Sequence, residues 1–223
     1  VMLAKPVKWI ASRAEEFQTM NIARGKRSDI ELAATKEGKL TGLRFHYLTD
    51  LGAYCKGATA ATHALSAAIA PGAYDIPNIE LEVESVYTTK VVDGAYRGYG
   101  RPEGIFVIER AMAMLANKLG LDQAELRRRN FISKDAFPYK TVVGEIYDSG
   151  NYEAALDKVL KLSQYDELRK EQDSLRKKGK LIGIGVSSYV KSGGAGPHPK
   201  MGMTAGWEVA RVIMSSQGKV TIV

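Results

Sequence analysis

The chain is poor in cysteine, in histidine and in long apolar runs, and each scarcity excludes a class of protein. Cys55 is the only cysteine among 223 residues. One thiol cannot build an internal disulfide framework or a paired-cysteine metal site, and it fits a reducing, cytoplasmic compartment. The simplest role for Cys55 is that of a small, half-apolar residue in or beside a strand. No apolar stretch approaches the roughly 20 residues that span a bilayer. Val1-Met2-Leu3-Ala4 runs straight into Lys5-Pro6, without the order of a secretory leader. The three histidines, His46, His63 and His198, include no pair at metal-ligand spacing, so no metal site is expected from them. The GxGxxG spacing and the Gly-Lys-Ser/Thr ending of nucleotide loops are also missing, as are internal repeats, low-complexity linkers and zinc-finger spacing.

What is present describes a globular chain of one large or two small domains, with 45% hydrophobic and 26% charged residues. The net charge is +7, and much of the excess lies in Arg127-Arg128-Arg129 and Arg176-Lys177-Lys178. Both runs fall at the C-terminal ends of predicted helices, where cations meet the negative end of the helix dipole. That structural reading is preferred to a nucleic-acid patch. Glu80, Glu82 and Glu84 alternate with Ile79, Leu81 and Val83, and read as the solvated face of a strand over 79–89.

Further elements follow from local pattern. Strands are predicted over Lys5–Ala11, Asp29–Lys36, Leu40–Tyr54, Leu181–Tyr189, Trp207–Met214 and Lys219–Val223, with turns at Glu37-Gly38 and Gln217-Gly218. Ser12 and Glu15 form a capping box for a short helix, and Asp122 and Glu125 a second one, with Leu121 and Leu126 as its staple. Helices are predicted over Ala58–Ala70, Tyr152–Leu162 and Asp166–Lys178. The clearest places Ile105, Ile108, Met112, Leu115 and Leu119 on one face and ends at Gly120. Pro71–Asn78 is a turn cluster, and Ser192–Pro197 a flexible loop. The sum is an α+β fold with mixed sheets.

The most informative stretch is Gly94-Ala95-Tyr96-Arg97-Gly98-Tyr99-Gly100-Arg101-Pro102-Glu103-Gly104. Its glycines allow sharp bends and close approach to another molecule. Pro102 suits the first turn of a helix, and a glycine-rich loop entering a helix is a common anion site. Asp93 either orients Arg97 or caps the turn.

Several motifs in order carry a resemblance: Lys5-Pro6-Val7-Lys8-Trp9, Asp50–Tyr54, Pro71–Asn78, Ala95–Gly100, Glu109-Arg110, Leu126-Arg127-Arg128-Arg129-Asn130, Asp148-Ser149-Gly150 and Gly183-Ile184-Gly185. Together they resemble the molybdenum-binding large subunit of the xanthine oxidase family, which includes aldehyde oxidases and carbon monoxide dehydrogenases. The resemblance covers nearly the whole chain. It implies a molybdenum-dependent oxidoreductase that hydroxylates an aldehyde or nitrogen heterocycle with water-derived oxygen. The expected cofactor is a molybdopterin-type molybdenum group, with iron–sulfur clusters and FAD on partner subunits and a homodimer of the whole complex.

Carried over residue by residue, the resemblance assigns cofactor binding to Tyr96, Arg97 and Gly98 and substrate stacking to Tyr99. No catalytic residue is expected within the chain, because the family's glutamate base is expected outside it. Copper-containing relatives carry a cysteine where Gly98 stands, so the loop resembles the copper-free type. The place of a purine-binding arginine falls near Leu65, which is uncharged, and Lys191 stands where an acidic residue is more usual. Residues 1–223 are expected to be part of a molybdopterin-binding domain, truncated at both ends, with a sub-boundary near 133–150. The isolated stretch is then expected to be inactive. The alternative is a non-catalytic basic α+β module that binds nucleic acid or a partner protein.

Overall fold

The computed structural model describes residues 4–55, 59–191, 193 and 209–223. These divide into two compact units, residues 1–190 and 191–223. The larger unit is built on a three-stranded sheet. Strands β1 (Lys26–Ala34) and β2 (Leu40–Gly52) form an antiparallel hairpin, and β3 (Ile79–Tyr87) runs parallel to β2 on its other side. Parallel neighbours need a crossover, which includes helix α2 (Thr59–Ala68).

Alternation decides which side each residue takes. Along β1, Ser28, Ile30 and Leu32 turn inward, whereas Arg27, Asp29 and Glu31 face water. Along β2, Leu43, Phe45 and Tyr47 are buried between outward Arg44 and half-exposed His46. The inner face packs under helix α3 (Arg101–Leu119), whose Ile108, Met112 and Ala116 are at most 1% exposed. Each such side chain contributes about 1.5–3 kcal/mol when taken from water, and less for alanine. Gly120, with φ +67°, ends α3 as its pattern predicts. The solvated face of β3 is also as expected, with Glu80, Glu82 and Glu84 exposed.

A shorter helix α1 (Arg13–Thr19) opens with both halves of the Ser12–Glu15 capping box. Helix α4 (Gln123–Asn130) has only half of its predicted box. Asp122 Oδ1 accepts from the Ala124 and Glu125 N–H groups, but Glu125 turns to Arg129 Nε at 2.8 Å. The charge partner outcompetes the reciprocal cap. A small hairpin of β4 (Tyr139–Lys140) and β5 (Ile146–Tyr147) follows, then α5 (Tyr152–Leu162) and α6 (Tyr165–Lys177).

Two predicted strands do not form. Residues 5–11 form no strand, and Trp9 is 68% exposed. Residues 181–189 keep the alternation, with Ile184 and Val186 packed against Leu156 and Tyr165, yet pair with no strand among the described residues. Alternation satisfies side chains only, and a strand also needs a neighbour for its backbone. Residues 181–189 are instead held at two points. Gln172 Nε2 donates to Ile182 O (2.9 Å), and Ser188 N donates to Glu109 Oε2 (2.9 Å).

The smaller unit contains a hairpin of β6 (Val212–Met214) and β7 (Val220–Ile222), closed by the predicted turn at Gly218 with φ +82°. Most of the Ser192–Pro197 loop, His198 and the Trp207 start of a strand lie outside the described residues.

Candidate functional site

The Gly94–Gly104 segment is clamped at both ends and open in its middle. At the entry, Asp93 is buried and faces His63 of α2, with Oδ2 2.9 Å from Nε2. Its Oδ1 accepts the Gly94 N–H at 3.0 Å, and Thr59 donates to its carbonyl at 2.9 Å. His63 Nδ1 in turn lies 2.8 Å from Thr49 Oγ1 of β2. Asp93 therefore caps the turn, the second of its two readings, and its buried side-chain partner is His63 rather than Arg97.

At the exit, the glycines serve the protein's own packing. A Cβ on Gly98 would stand 2.3 Å from Pro102 Cγ, and one on Gly100 2.0 Å from the Thr62 carbonyl. Gly100 also sits at φ +86°, in the left-handed region. A Cβ on Gly104 would meet the Ser66 carbonyl at 2.2 Å, and Ser66 Oγ donates to Gly100 O at 2.6 Å. The sequence reading reserved this closeness for another molecule, whereas α2 and neighbouring side chains take it. The start of α3 is equally engaged. Its first-turn carboxylate, Glu103, is ion-paired to the buried Lys26 Nζ at 3.1 Å.

What the segment does offer is the run Ala95-Tyr96-Arg97, all exposed. Arg24 pins it, donating from Nη2 to Arg97 O at 2.8 Å while its guanidinium lies 4.9 Å from the Tyr96 ring centroid. A tight turn follows, with Tyr99 N donating to Tyr96 O at 2.7 Å and Tyr99 half-buried at φ +52°. Tyr96, Arg97, Gly98 and Tyr99 are thus together on one turn. Leu65 lies half-buried on α2.

Arg24 also lines a groove of about 950 Å³ between β1 and α3, walled by Ile30, Leu32, Phe106, Val107 and Met114. Two buried polar atoms there, Tyr47 OH and Glu103 Oε2, have no hydrogen-bond partner. Burial pushes the Tyr47 hydroxyl up to about 12. The neighbouring Ser66 hydroxyl is committed to Gly100.

The arginine triplet is absorbed by carboxylates and carbonyls. Arg127, fully buried, pairs through Nε with Glu109 Oε2 at 2.9 Å, and Glu109 Oε1 accepts the Tyr74 hydroxyl. Arg128 meets Glu153 and Asp157, and Arg129 meets Glu125 and Glu37 O. Asn130 accepts from Leu40 N at 2.8 Å and donates to Gly38 O at 2.7 Å, locking the β1–β2 turn onto α4. Positions 127–129 therefore offer no free basic patch to a nucleic acid.

Comparison with known proteins decides the kinship. A family model described as "Molybdopterin cofactor-binding domain" matches residues 1–131, more than half of the chain. The chain belongs to that family. It is 42% identical over 204 residues to the "Carbon monoxide dehydrogenase large chain" of Hydrogenophaga pseudoflava, covering 88% of this chain and 25% of the relative. It is 36% identical over 226 residues to the "Nicotine 6-hydroxylase large subunit" of Paenarthrobacter nicotinovorans, covering 99% and 28%. Among solved structures, quinoline 2-oxidoreductase from Pseudomonas putida 86 superposes with a TM-score of 0.86 at 29% identity, over 99% of this chain and 29% of that one. The chain thus spans little more than a quarter of the length of these relatives. The α+β fold is the one they share over this stretch. No helix among the described residues is long and apolar enough to cross a membrane.

The donors exposed at positions 95–97 are of a kind that suits an anionic group such as molybdopterin. The glycine positions leave no vacant cradle, since protein atoms fill each Cβ place tested at 98, 100 and 104. The exposed run is different: Arg97 is exposed there, the Arg24 guanidinium holds its backbone carbonyl, and guanidinium donors match phosphate oxygens. One signal was missed in the sequence. Arg24 lies 73 residues from Arg97, and only folding brings it to the loop.

Proposed function

We propose that this chain is part of the large subunit of a molybdenum hydroxylase, with Tyr96, Arg97 and Gly98 forming one wall of the cofactor site. The carrying observation is the exposed 95–97 run, held by Arg24 within a chain of the molybdopterin cofactor-binding family. Residues 1–223 then belong to one molybdopterin-binding domain, with a sub-boundary near 133–150. When bound, the molybdenum group supplies the redox centre for hydroxylation with water-derived oxygen; the protein binds, orients and stabilises charge. Arg97 would offer its guanidinium to the cofactor's anionic groups. Arg24 fixes the Arg97 carbonyl and so the pitch of the wall. Tyr99 supplies an aromatic face to substrate, two residues beyond Arg97. Gly98 puts no soft thiolate at the position a copper(I) ion would need, which supports copper-free chemistry.

The uncharged Leu65 supports aldehydes or nitrogen heterocycles over purines, a choice consistent with relatives named for nicotine and quinoline. The full assembly would pair this subunit with an iron–sulfur subunit and an FAD subunit, dimerise, and work in the cytoplasm. The test is metal analysis and an aldehyde and heterocycle panel on the complete complex. Arg97→Ala is expected to lower molybdenum per subunit with the fold unchanged, and Tyr99→Ala to raise KM with molybdenum retained. Full molybdenum and unaltered turnover in both variants would refute the assignment.

A further inference from the structure

The water-facing side of the sheet holds an arrangement that spacing along the chain could not reveal. Pairing aligns Asp29 of β1, His46 of β2 and Glu82 of β3 in one row across the three strands. Glu84 lies diagonally from His46, with Oε2 3.4 Å from Nε2. One ligand atom from each of His46, Glu82 and Glu84 lies within 4.8 Å of the others. On the far side of the ring, His46 Nδ1 faces Asp29 Oδ2 at 3.9 Å.

The charges around this group leave it anionic. Arg27 on β1 lies 3.4 Å from Asp29, and Arg44 on β2 serves the adjacent row, meeting Glu31 at 3.6 Å and Glu80 at 3.1 Å. Glu82 has no cationic partner among the described residues, and Glu84 has only His46. An acidic spot has therefore formed on a chain of net charge +7.

We propose that His46, Glu82 and Glu84 form a site for a divalent transition ion of the zinc or cobalt type, with Asp29 as the carboxylate behind the histidine. Imidazole plus two carboxylates suits such ions. Imidazole argues against calcium or magnesium, and the lack of sulfur argues against copper(I). Donors at about 2.0–2.2 Å from a tetrahedral ion stand about 3.4 Å apart. His46 Nε2 and Glu84 Oε2 already stand at 3.4 Å, and the remaining donors lie within 4.8 Å. A metal-binding histidine usually gives its other N–H to a carboxylate, which fixes the tautomer; Asp29 stands on that side at 3.9 Å, beyond hydrogen-bond length, and would close on Nδ1 when the ion binds. Metal ligands bind in their deprotonated forms, so affinity for the ion falls in acid.

The site is independent of the molybdenum assignment, and its test reads a different quantity. The full large subunit, in its complex and in a Cys55→Ser background that removes the exposed thiol, is freed of loose metal by chelator dialysis and titrated with cobalt chloride. The expected result is one added cobalt per subunit with a visible absorption band, proton release below neutral pH, and displacement by zinc chloride. Asp29→Asn should weaken binding about 10-fold and His46→Ala by more. Glu80→Gln, in the neighbouring row, should change nothing. The apo melting temperature of each variant checks folding. Equal cobalt affinity in the parent and in a His46→Ala, Glu82→Gln, Glu84→Gln triple variant would overturn the proposal, as would a site that only titrates protons. Molybdenum content should stay constant throughout.

Discussion

The Glu109–Asn130 region and the 95–97 run both belong to the motif series that marks the family, yet they differ in almost every physical respect. Glu109, Arg127 and Asn130 are no more than 6% exposed, and each is tied to two or more partners by side-chain hydrogen bonds. Tyr96 is 63% exposed and Arg97 is exposed as well, their geometry set from outside by Arg24. A specific motif is therefore not evidence of a ligand. One part is accounted for by a buried ion pair and its hydrogen bonds, and the other is held from outside by Arg24.

The sharpest attack on this contrast is Arg127→Ala. It leaves Glu109 charged and buried beside Tyr74, and stripping one partner from such a pair costs about 3–5 kcal/mol. Chemical denaturation of the chain should show a loss of that size. A loss below about 1 kcal/mol would mean that water reaches Glu109. Next comes Gly104→Ala, which forces a methyl to 2.2 Å from the Ser66 carbonyl and must push α2 from α3. Overpacking of this kind costs about 1–3 kcal/mol. A neutral outcome would return Gly104 to the ligand-side reading.

Acid should loosen the ion pair between Asp50, near the end of β2, and Lys90. Burial pushes the Asp50 carboxyl up, but Lys90, Thr88 and the Gly52 N–H together pull it down further, from 3.8 to about 2. The Lys90 contact is 2.6 Å. A depressed carboxylate stabilises the fold fully above its unfolded value. Its contribution fades as pH falls below about 4 and is gone below about 2. The stability gap between the parent and Asp50→Asn should narrow across that window in parallel pH-dependent melts. A constant gap would mean that Asp50 acts through its shape alone.

Much of the fold was legible because its signals are local. The Ser12 cap, the α3 stripe and its Gly120 stop, and the alternation in β1 and in the first half of β3 each need only nearby residues, and each is present; beyond Glu82 both faces of β3 are exposed, Val83 and Tyr87 included. The failures share one cause. Residues 5–11 and 181–189 have strand-like side-chain patterns, but pairing depends on a distant neighbour that the pattern cannot name. At the site, the turn was legible from its glycines, but their reason was not. Gly100 and Gly104 answer to Thr62 and Ser66, more than 30 residues earlier. Arg24 and the His46–Glu82–Glu84 group were invisible for the same reason, since their partners meet only through sheet register and crossover.

The smallest stability effect is expected where the functional effect is expected to be largest. Arg24→Ala removes one hydrogen bond to a carbonyl and a cation over an exposed ring, together about 1 kcal/mol or less. Arg97→Ala removes only an exposed side chain and should fall within about 0.5 kcal/mol. If the wall assignment holds, both variants still lose molybdenum in the assembled enzyme, by different routes. Arg97→Ala deletes a donor, so restoring occupancy should need a larger excess of cofactor. Arg24→Ala leaves the donor but lets the turn drift, so occupancy should recover partly with excess cofactor. Identical behaviour of the two variants would mean that Arg24 binds the cofactor directly instead of positioning Arg97. An Arg24→Ala variant as unstable as Arg127→Ala would erase the distinction between the two regions.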